Sequence, residues 1–176
     1  MQLKKAKYFF NPGFTLLELL VVIAILGILS TIGIGSFLSS QVKSRDARRK
    51  GDLQSVAAAL EMYYNDKGEY PKEDNFHIVG CDVQYCEWGT EWSQATPPVV
   101  YMAQLPIDPS GNYYSFHAAA DGSWYILYAR LENTKDKAVN QVGEGGGFED
   151  TECSSQAPEF CNYAIKSANA SLPDLE

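Results

Sequence analysis

A single carboxylate stands near the start of the longest apolar run in the chain. Residues 13–20 read GFTLLELL, and Glu18 is the only charged residue between Gly13 and Leu38. A carboxylate at the centre of a membrane costs roughly 2.5–3.5 kcal/mol, and less near the interface. Glu18 is therefore expected either to lie at the level of the lipid headgroups or to pair with a cation that the run does not contain.

The cysteines form the second set of reactive side chains. Cys81 and Cys86 are separated by four residues, and Cys153 and Cys161 by seven. These spacings differ from the C-x2-C pairs expected of zinc sites. An even number of cysteines in an exported domain is typical of disulfides. We favour the pairs Cys81–Cys86 and Cys153–Cys161, each closing a short loop, over the other connectivities, free thiols or a metal site.

Neither the histidines nor the glycine-rich segment forms a catalytic motif. His77 and His117 are the two histidines of the chain, and neither lies in H-E-x-x-H or beside a nucleophile signature. Residues 143–152, GEGGGFEDTE, lack the Lys-Ser/Thr ending of a phosphate-binding loop. We predict no enzymatic activity for this chain.

The charged residues divide the chain into a basic start and an acidic remainder. Residues 1–50 carry eight Lys or Arg and two acidic residues, whereas residues 51–176 carry six and twenty. This distribution is typical of a membrane-facing N-terminus followed by a solvated head. Contact with phosphate needs a basic surface, so we expect no direct binding of nucleic acid by the head.

The apolar run is long enough to cross a membrane as a helix. Residues 19–38 contain no charge over 20 positions, and a helix rising ~1.5 Å per residue then spans the ~30 Å hydrocarbon core. The basic flank with Lys4, Lys5 and Lys7 is also typical of a cleaved secretory signal. We favour a retained membrane helix, because the run exceeds a signal core and continues into an amphipathic helix without a turn.

The residues around Glu18 resemble the N-terminal signal of type IV pilins and type II secretion pseudopilins. The stretch from Gly13 to Glu18, GFTLLE, follows a short lysine-rich leader and precedes the apolar run. The resemblance implies cleavage by prepilin peptidase between Gly13 and Phe14, and N-methylation of Phe14. It also gives Glu18 a partner, the N-terminal amine of an adjacent subunit, so that this pairing sets the axial register of a filament.

The resemblance further implies a location and a set of partners. The precursor is expected as a single-pass protein of the inner, cytoplasmic membrane, in contact with membrane lipid and with its head extracytoplasmic. The mature chain is expected in a homo-oligomeric pilus or pseudopilus, with minor pilins and an inner-membrane assembly platform. The alternative is a monomeric, membrane-tethered extracytoplasmic binding module whose helix is only an anchor.

Two parts of the head bear on the choice between a pseudopilus and a surface pilus. Residues 105–114, LPIDPSGNYY, resemble the loop before the sheet in the major pseudopilin of type II secretion. The longer C-terminal part with its second cysteine pair is more like that of pilins. Major pseudopilins hold calcium in a C-terminal loop. The resemblance therefore makes four carboxylates low-priority candidates for calcium ligands: Glu144, Glu149, Asp150 and Glu152. The alternative is a flexible acidic loop that binds no metal. No other cofactor is expected.

These features predict an α+β, pilin-like fold in which a long N-terminal helix packs on a small antiparallel sheet. We divide the chain into a leader (1–13), a transmembrane helix that forms the filament core (14–40), an amphipathic continuation (41–66) and a globular head with disulfide loops (67–176). Residues 42–50, VKSRDARRK, are expected to form a solvated basic collar at the membrane. That collar is also expected to contact anionic lipid, or acidic heads in a filament.

The apolar pattern predicts which elements build the head. Apolar residues at helical spacing continue the helix to a cap at Gly68, and Met62, Tyr63 and Tyr64 are expected in the core. Residues 72–104 are expected to be a loop region packed by Trp88 and Trp92. Residues 113–117 and 124–131 predict an antiparallel hairpin, and residues 162–166 a last strand.

Overall fold

One long helix and seven short strands make up the described part of the chain. The computed structural model describes residues 13–81, 84–95, 98–139, 148, 151, 153 and 160–172, with the backbone alone at 31–34. The helix α1 runs over Leu16–Lys67. The chain divides into two compact units, Met1–Ser40 and Gln41–Glu176.

The strands form three small antiparallel sheets. Two of the sheets are hairpins, and the third has the order β5-β6-β7. The bounds are β1 Glu73–Asp74, β2 His77–Ile78, β3 Trp92–Ala95, β4 Pro98–Met102, β5 Ser115–Ala118, β6 Tyr125–Ala129 and β7 Tyr163–Lys166.

The three-stranded sheet contains the hairpin and the last strand that the sequence predicts. Phe116 of β5 faces Leu127 of β6, and Leu127 faces Ile165 of β7. The expectation of a loop over residues 72–104 was wrong, because β1 to β4 lie there as two hairpins. Their strands of two to five residues are too short to show a period of two in the sequence.

The C-terminal part of α1 packs on these sheets and confirms the α+β architecture. Leu53, Val56 and Leu60 recur three and four positions apart and are fully buried in one core cluster with Phe116 and Leu127. The helix ends at Lys67, where Gly68 adopts φ +78° and its N–H donates to the Tyr64 carbonyl at 2.8 Å. Glycine takes this left-handed conformation at little cost, as the sequence analysis expected.

The residues Met62 and Tyr64 differ from their predicted burial. Met62 is 53% exposed and Tyr64 is 39% exposed, whereas Tyr63 packs against the buried cluster. The helical positions of Leu53, Val56 and Leu60 already cover the core face, so Met62 points to another side of the helix. Met62 is therefore part of the surface.

A second cluster covers the other face of the three-stranded sheet. Ile126 and Tyr128 of β6 pack there with Phe148 and with the cysteines Cys153 and Cys161. Every residue of β6 is buried as a result. The central strand thus lies between α1 on one side and the C-terminal part of the chain on the other.

The first unit carries the apolar part of α1. Among the described residues no single helix meets the length and hydropathy expected of a membrane span. The segments Leu16–Ser30 and Gly35–Lys67 meet those criteria together, as a broken span. A continuous span over residues 14–40 remains a prediction.

Candidate functional site

The first turn of α1 satisfies the Glu18 carboxylate locally. Glu18 Oε2 accepts hydrogen bonds from the Thr15 N–H at 2.9 Å and from Thr15 Oγ1 at 2.8 Å. The Glu18 N–H donates back to Thr15 Oγ1 at 3.2 Å. This reciprocal pattern is a capping box, in which a Thr at the N-cap and a Glu three residues later satisfy each other's backbone donors.

Thr15 is a site residue that the sequence analysis missed. The signal was present, because T-x-x-E before an apolar run predicts a capping box. The carboxylate is thus oriented by a neighbour at the start of its own helix, and none of the described residues supplies it with a cation. Glu18 remains exposed and able to accept a further hydrogen bond or an ion pair.

The helix around Glu18 presents apolar side chains that the described part of the chain does not cover. Phe14 is 84% exposed, Leu16 87% and Leu17 72%. The same holds for the larger apolar side chains described onward to Leu38. Contiguous apolar surface on this scale marks contact with lipid or with another protein.

A second site lies in the second unit, where α1 enters the head. The Arg49 side chain has no exposed surface, and its guanidinium contacts three carboxylates. It donates to Asp46 at 2.7 Å, to Asp108 at 2.5 and 3.1 Å, and lies 2.9 Å from Glu132. Ser110 Oγ accepts a further hydrogen bond at 2.9 Å.

The carboxylate partners of Arg49 also connect α1 to the loops of the head. Asp46 accepts hydrogen bonds from the N–H groups of Glu132 and Asn133, each at 2.9 Å. Arg45, one turn before Arg49, forms a bidentate pair with Glu132. We name Arg45, Asp46, Arg49, Asp108 and Glu132 the ion cluster. It ties the helix to the turn before β5 and to the segment after β6.

The ion cluster favours the charged forms of Arg45, Arg49 and Glu132. The hydrogen bonds from Arg45 lower the pKa of Glu132 from 4.5 to about 2 and outweigh the opposing effect of burial. Burial of Arg49 acts to lower its pKa, but hydrogen bonds to Asp108 and Glu132 raise it overall. Nearby, Lys50 donates to Asp136 at 2.7 Å and lowers the pKa of that carboxyl.

The expected solvated collar over residues 42–50 was therefore wrong for three of its five cations. Arg45, Arg49 and Lys50 form ion pairs within the head. Each has a carboxylate partner about 60 or more positions further along the chain. Arg48, whose side chain is 62% exposed, and the exposed Lys43 still face solvent. The local sequence shows only that these residues are cationic, and does not predict which of them form ion pairs within the head.

All four cysteines are joined in the two short-loop pairs. The Cα atoms are 5.6 Å apart in Cys81–Cys86 and 5.1 Å apart in Cys153–Cys161. The candidate calcium ligands Glu144, Glu149, Asp150 and Glu152 lie outside the described residues. Within the described ranges, no group of three or more His, Cys, Asp or Glu side chains is placed to hold a metal ion.

The contact between Ser115 and His117 does not form a nucleophile site. Ser115 Oγ lies 3.4 Å from His117 Nε2, but the Ser115 side chain is fully buried. Burial lowers the pKa of His117, against the opposing effect of Glu73 at 3.5 Å. Both residues therefore contribute to the packing of β5.

A capped apolar N-terminal helix that continues into an α+β head defines the class of pilin-like proteins. The profile of the prokaryotic N-terminal methylation motif matches residues 11–34. The profile of type II secretion system (T2SS), protein G matches residues 36–137, more than half of the chain. The chain therefore belongs to the type II secretion system protein G family, whose members are structural subunits rather than enzymes.

Curated relatives agree with this assignment. The type II secretion system core protein G of Pseudomonas aeruginosa is 28% identical over 140 residues, 79% of this chain and 96% of the relative. The protein of the same name from Escherichia coli K12 is 31% identical over 73% of this chain and 89% of the relative. The type IV major pilin protein PilA of Myxococcus xanthus is 39% identical over 35% of this chain and 29% of that pilin. No solved structure matches the chain.

Proposed function

We propose that the chain is a structural subunit of a type II secretion pseudopilus, cleaved between Gly13 and Phe14 and assembled through α1. The observation that carries this function is the exposed apolar start of α1 with one carboxylate in its first turn. An exposed helix surface of this kind excludes water only when lipid or other helices surround it. Prepilin peptidase would cut after Gly13, and Phe14 would then receive the N-methyl group.

The geometry of the first turn supports a role for Glu18 in assembly. Cleavage after Gly13 creates a new amine on Phe14, next to the residue Thr15 that caps the helix. The capping box holds the Glu18 carboxylate at that same end of α1. A charge-assisted bond from the amine of a neighbouring subunit would then replace water at the carboxylate and set the axial position of the two helices.

The extent of the similarity favours a pseudopilus over a surface pilus. The alignments with the two core protein G relatives extend over most of this chain and most of each relative, whereas the alignment with the pilin extends over 64 residues. The partners that follow are the prepilin peptidase, the inner-membrane assembly platform, minor pilins, other copies of this chain and membrane lipid. The head would be extracytoplasmic, where its disulfides persist.

The substitution Glu18→Leu separates this function from that of a tethered monomer. In the filament subunit, Glu18→Leu should leave processing largely intact but reduce sheared filaments at least tenfold, because the amine of the neighbour loses its partner. Filaments would be quantified by sedimentation and the processed subunit by immunoblotting. Ile23→Leu, a volume-conserving change at an exposed apolar position, is the matched control and should assemble normally.

A tethered binding module gives the opposite result. Its anchor would lose a costly carboxylate, so Glu18→Leu would be harmless or would improve retention in the membrane. Normal filaments from Glu18→Leu would reject the assembly role of this residue.

A further inference from the structure

A surface groove lies beside α1, near the point where the helix begins to pack against the head. It has a volume of about 250 Å³ and lies between Arg48, Asp52 and Ser55 on α1 and the segment 102–107. Ile107 on its far wall is 53% exposed, although it is a large apolar residue. The groove therefore combines a cation with an uncovered apolar side chain.

Arg48 is the member of the groove that is free to bind a partner. Its nearest carboxylate, Asp52, is 3.7 Å away, and the Arg48 side chain is 62% exposed. Asp52 itself accepts a hydrogen bond from the Tyr114 hydroxyl at 2.8 Å. An exposed ion pair at this distance contributes little, so Arg48 loses little by exchanging Asp52 for another carboxylate.

The opposite end of the same helix has the complementary character. Asp66 and Glu69 are exposed, and Asp121 lies close by, because the adjacent Gly122 carbonyl accepts a hydrogen bond from the Tyr70 N–H at 2.9 Å. The helix C-terminus adds a partial negative charge there. Met62, 53% exposed, lies one turn before Asp66 on the same side of α1.

The spacing along α1 suits a repeating contact. Arg48 and Asp66 are 18 positions apart, about five helical turns, so they share one face of α1 at a separation of roughly 27 Å. A copy displaced along the helix axis by about this distance, and rotated by about half a turn so that its α1 face opposes that of the first copy, brings the acidic end of one head to the groove of the next. Such a contact joins two different surfaces and therefore continues without closing, as a filament requires.

We propose that the groove at Arg48 and Ile107 docks the C-terminal end of α1 and the residue after its cap, namely Met62, Asp66 and Glu69, from a second copy of this chain. This inference rests on the proposed filament and names a contact between heads within it. Asp66 and Glu69 pair with Arg48, while Met62 covers Ile107. The head carries 20 acidic and six basic residues over positions 51–176, so this pairing also offsets repulsion between neighbouring heads.

Charge reversal in the full-length chain tests the proposal. Arg48→Glu should reduce sheared filaments about tenfold or more relative to processed subunit, since like charges across an interface cost several kcal/mol. Asp66→Arg with Glu69→Arg should do the same. The three changes together should restore filaments to within about threefold of the unmodified chain. Arg48→Gln should produce an intermediate loss, and thermal unfolding should show that the heads remain folded.

Matched controls make each outcome decisive. Lys137→Glu reverses another exposed cation with the same change in net charge and should leave filaments unchanged. Normal filaments from Arg48→Glu, or no rescue by the combined changes, would overturn the docking site while the Glu18-dependent filament stands. Absence of Glu18-dependent filaments from the unmodified chain would instead overturn the proposed function, and this inference with it.

Discussion

Arg49 connects α1 to two distant loops of the head. A guanidinium without exposed surface requires hydrogen bonds and counter-charges, since burial of an isolated ion costs several kcal/mol. Asp46 supplies one counter-charge from the same helix, and Asp108 and Glu132 supply two from distant loops. The cluster thus fixes where two loops lie on the helix.

Removal of the guanidinium should expose this dependence. Arg49→Met should lower the free energy of unfolding by about 3–5 kcal/mol, because Asp46 and Asp108 would remain buried without a cation. Arg48→Met, one position away on the exposed side, should cost less than about 1 kcal/mol. Urea unfolding of the full-length chain in detergent, followed by tryptophan fluorescence, measures both. Equal losses would show that burial of Arg49 does not decide stability.

The cluster should also make the head sensitive to acid. The pKa of Glu132 is about 2 in the folded chain and 4.5 ordinarily, so the unfolded chain binds its proton first as pH falls. The stability that Glu132 contributes is present in full above about pH 4.5 and is lost progressively towards pH 2. Glu132→Gln should flatten this part of the stability curve. An unchanged slope between pH 5 and pH 2 in that variant would contradict the role given to Glu132.

At the scale of elements, the two disulfides support different structures. Cys81–Cys86 bridges the segment after β2, next to the contact between Ile78 and Cys86. Cys153–Cys161 lies in the cluster that covers the outer face of the three-stranded sheet. Phe148 reaches Tyr128 from this part of the chain, with ring centroids 5.1 Å apart.

Loss of the Cys153–Cys161 disulfide should therefore lower the free energy of unfolding by more than the entropy of its short loop predicts. By loop entropy each bridge contributes about 2–2.5 kcal/mol. Replacing Cys153 and Cys161 by Ser should exceed this value, because both side chains are fully buried and Tyr128 and Ile126 would lose their cover. Replacing Cys81 and Cys86 should exceed it by less, because only Cys86 of that pair is buried in the core. Thermal unfolding of the two double variants decides the order. A larger loss from the first pair would contradict the covering role of the second.

The elements also differ in how far sequence reasoning could predict them. α1, its Gly68 cap and strands β5 to β7 were predictable, because each has a local pattern of periodicity, turn residues or β-forming side chains. The hairpins β1–β2 and β3–β4 were not, because such short strands depend on contacts distant in sequence. The same reason explains the ion cluster: Asp108 and Glu132 lie far along the chain from Arg49, and only folding brings them together.

At the scale of the whole molecule, the division between exposed and buried apolar side chains matches the division into two units. Met1–Ser40 holds the uncovered apolar helix with Glu18, and Gln41–Glu176 holds a folded core with the ion cluster and both disulfides. The apolar side chains described in the first unit are therefore uncovered by the described part of the chain, whereas the second unit has buried its own core. A subunit that moves from membrane to filament needs both properties, since helices of other subunits can replace lipid around the first unit.

Intact mass spectrometry of sheared filaments, without reduction, tests this account most directly. The account predicts a chain that begins at Phe14, carries one added methyl group and lacks the hydrogens removed by two disulfides. The same mass should be found in the membrane fraction of a host that contains the peptidase. An uncleaved chain beginning at Met1 in such a host, with no filament fraction, would contradict it and leave a tethered monomer.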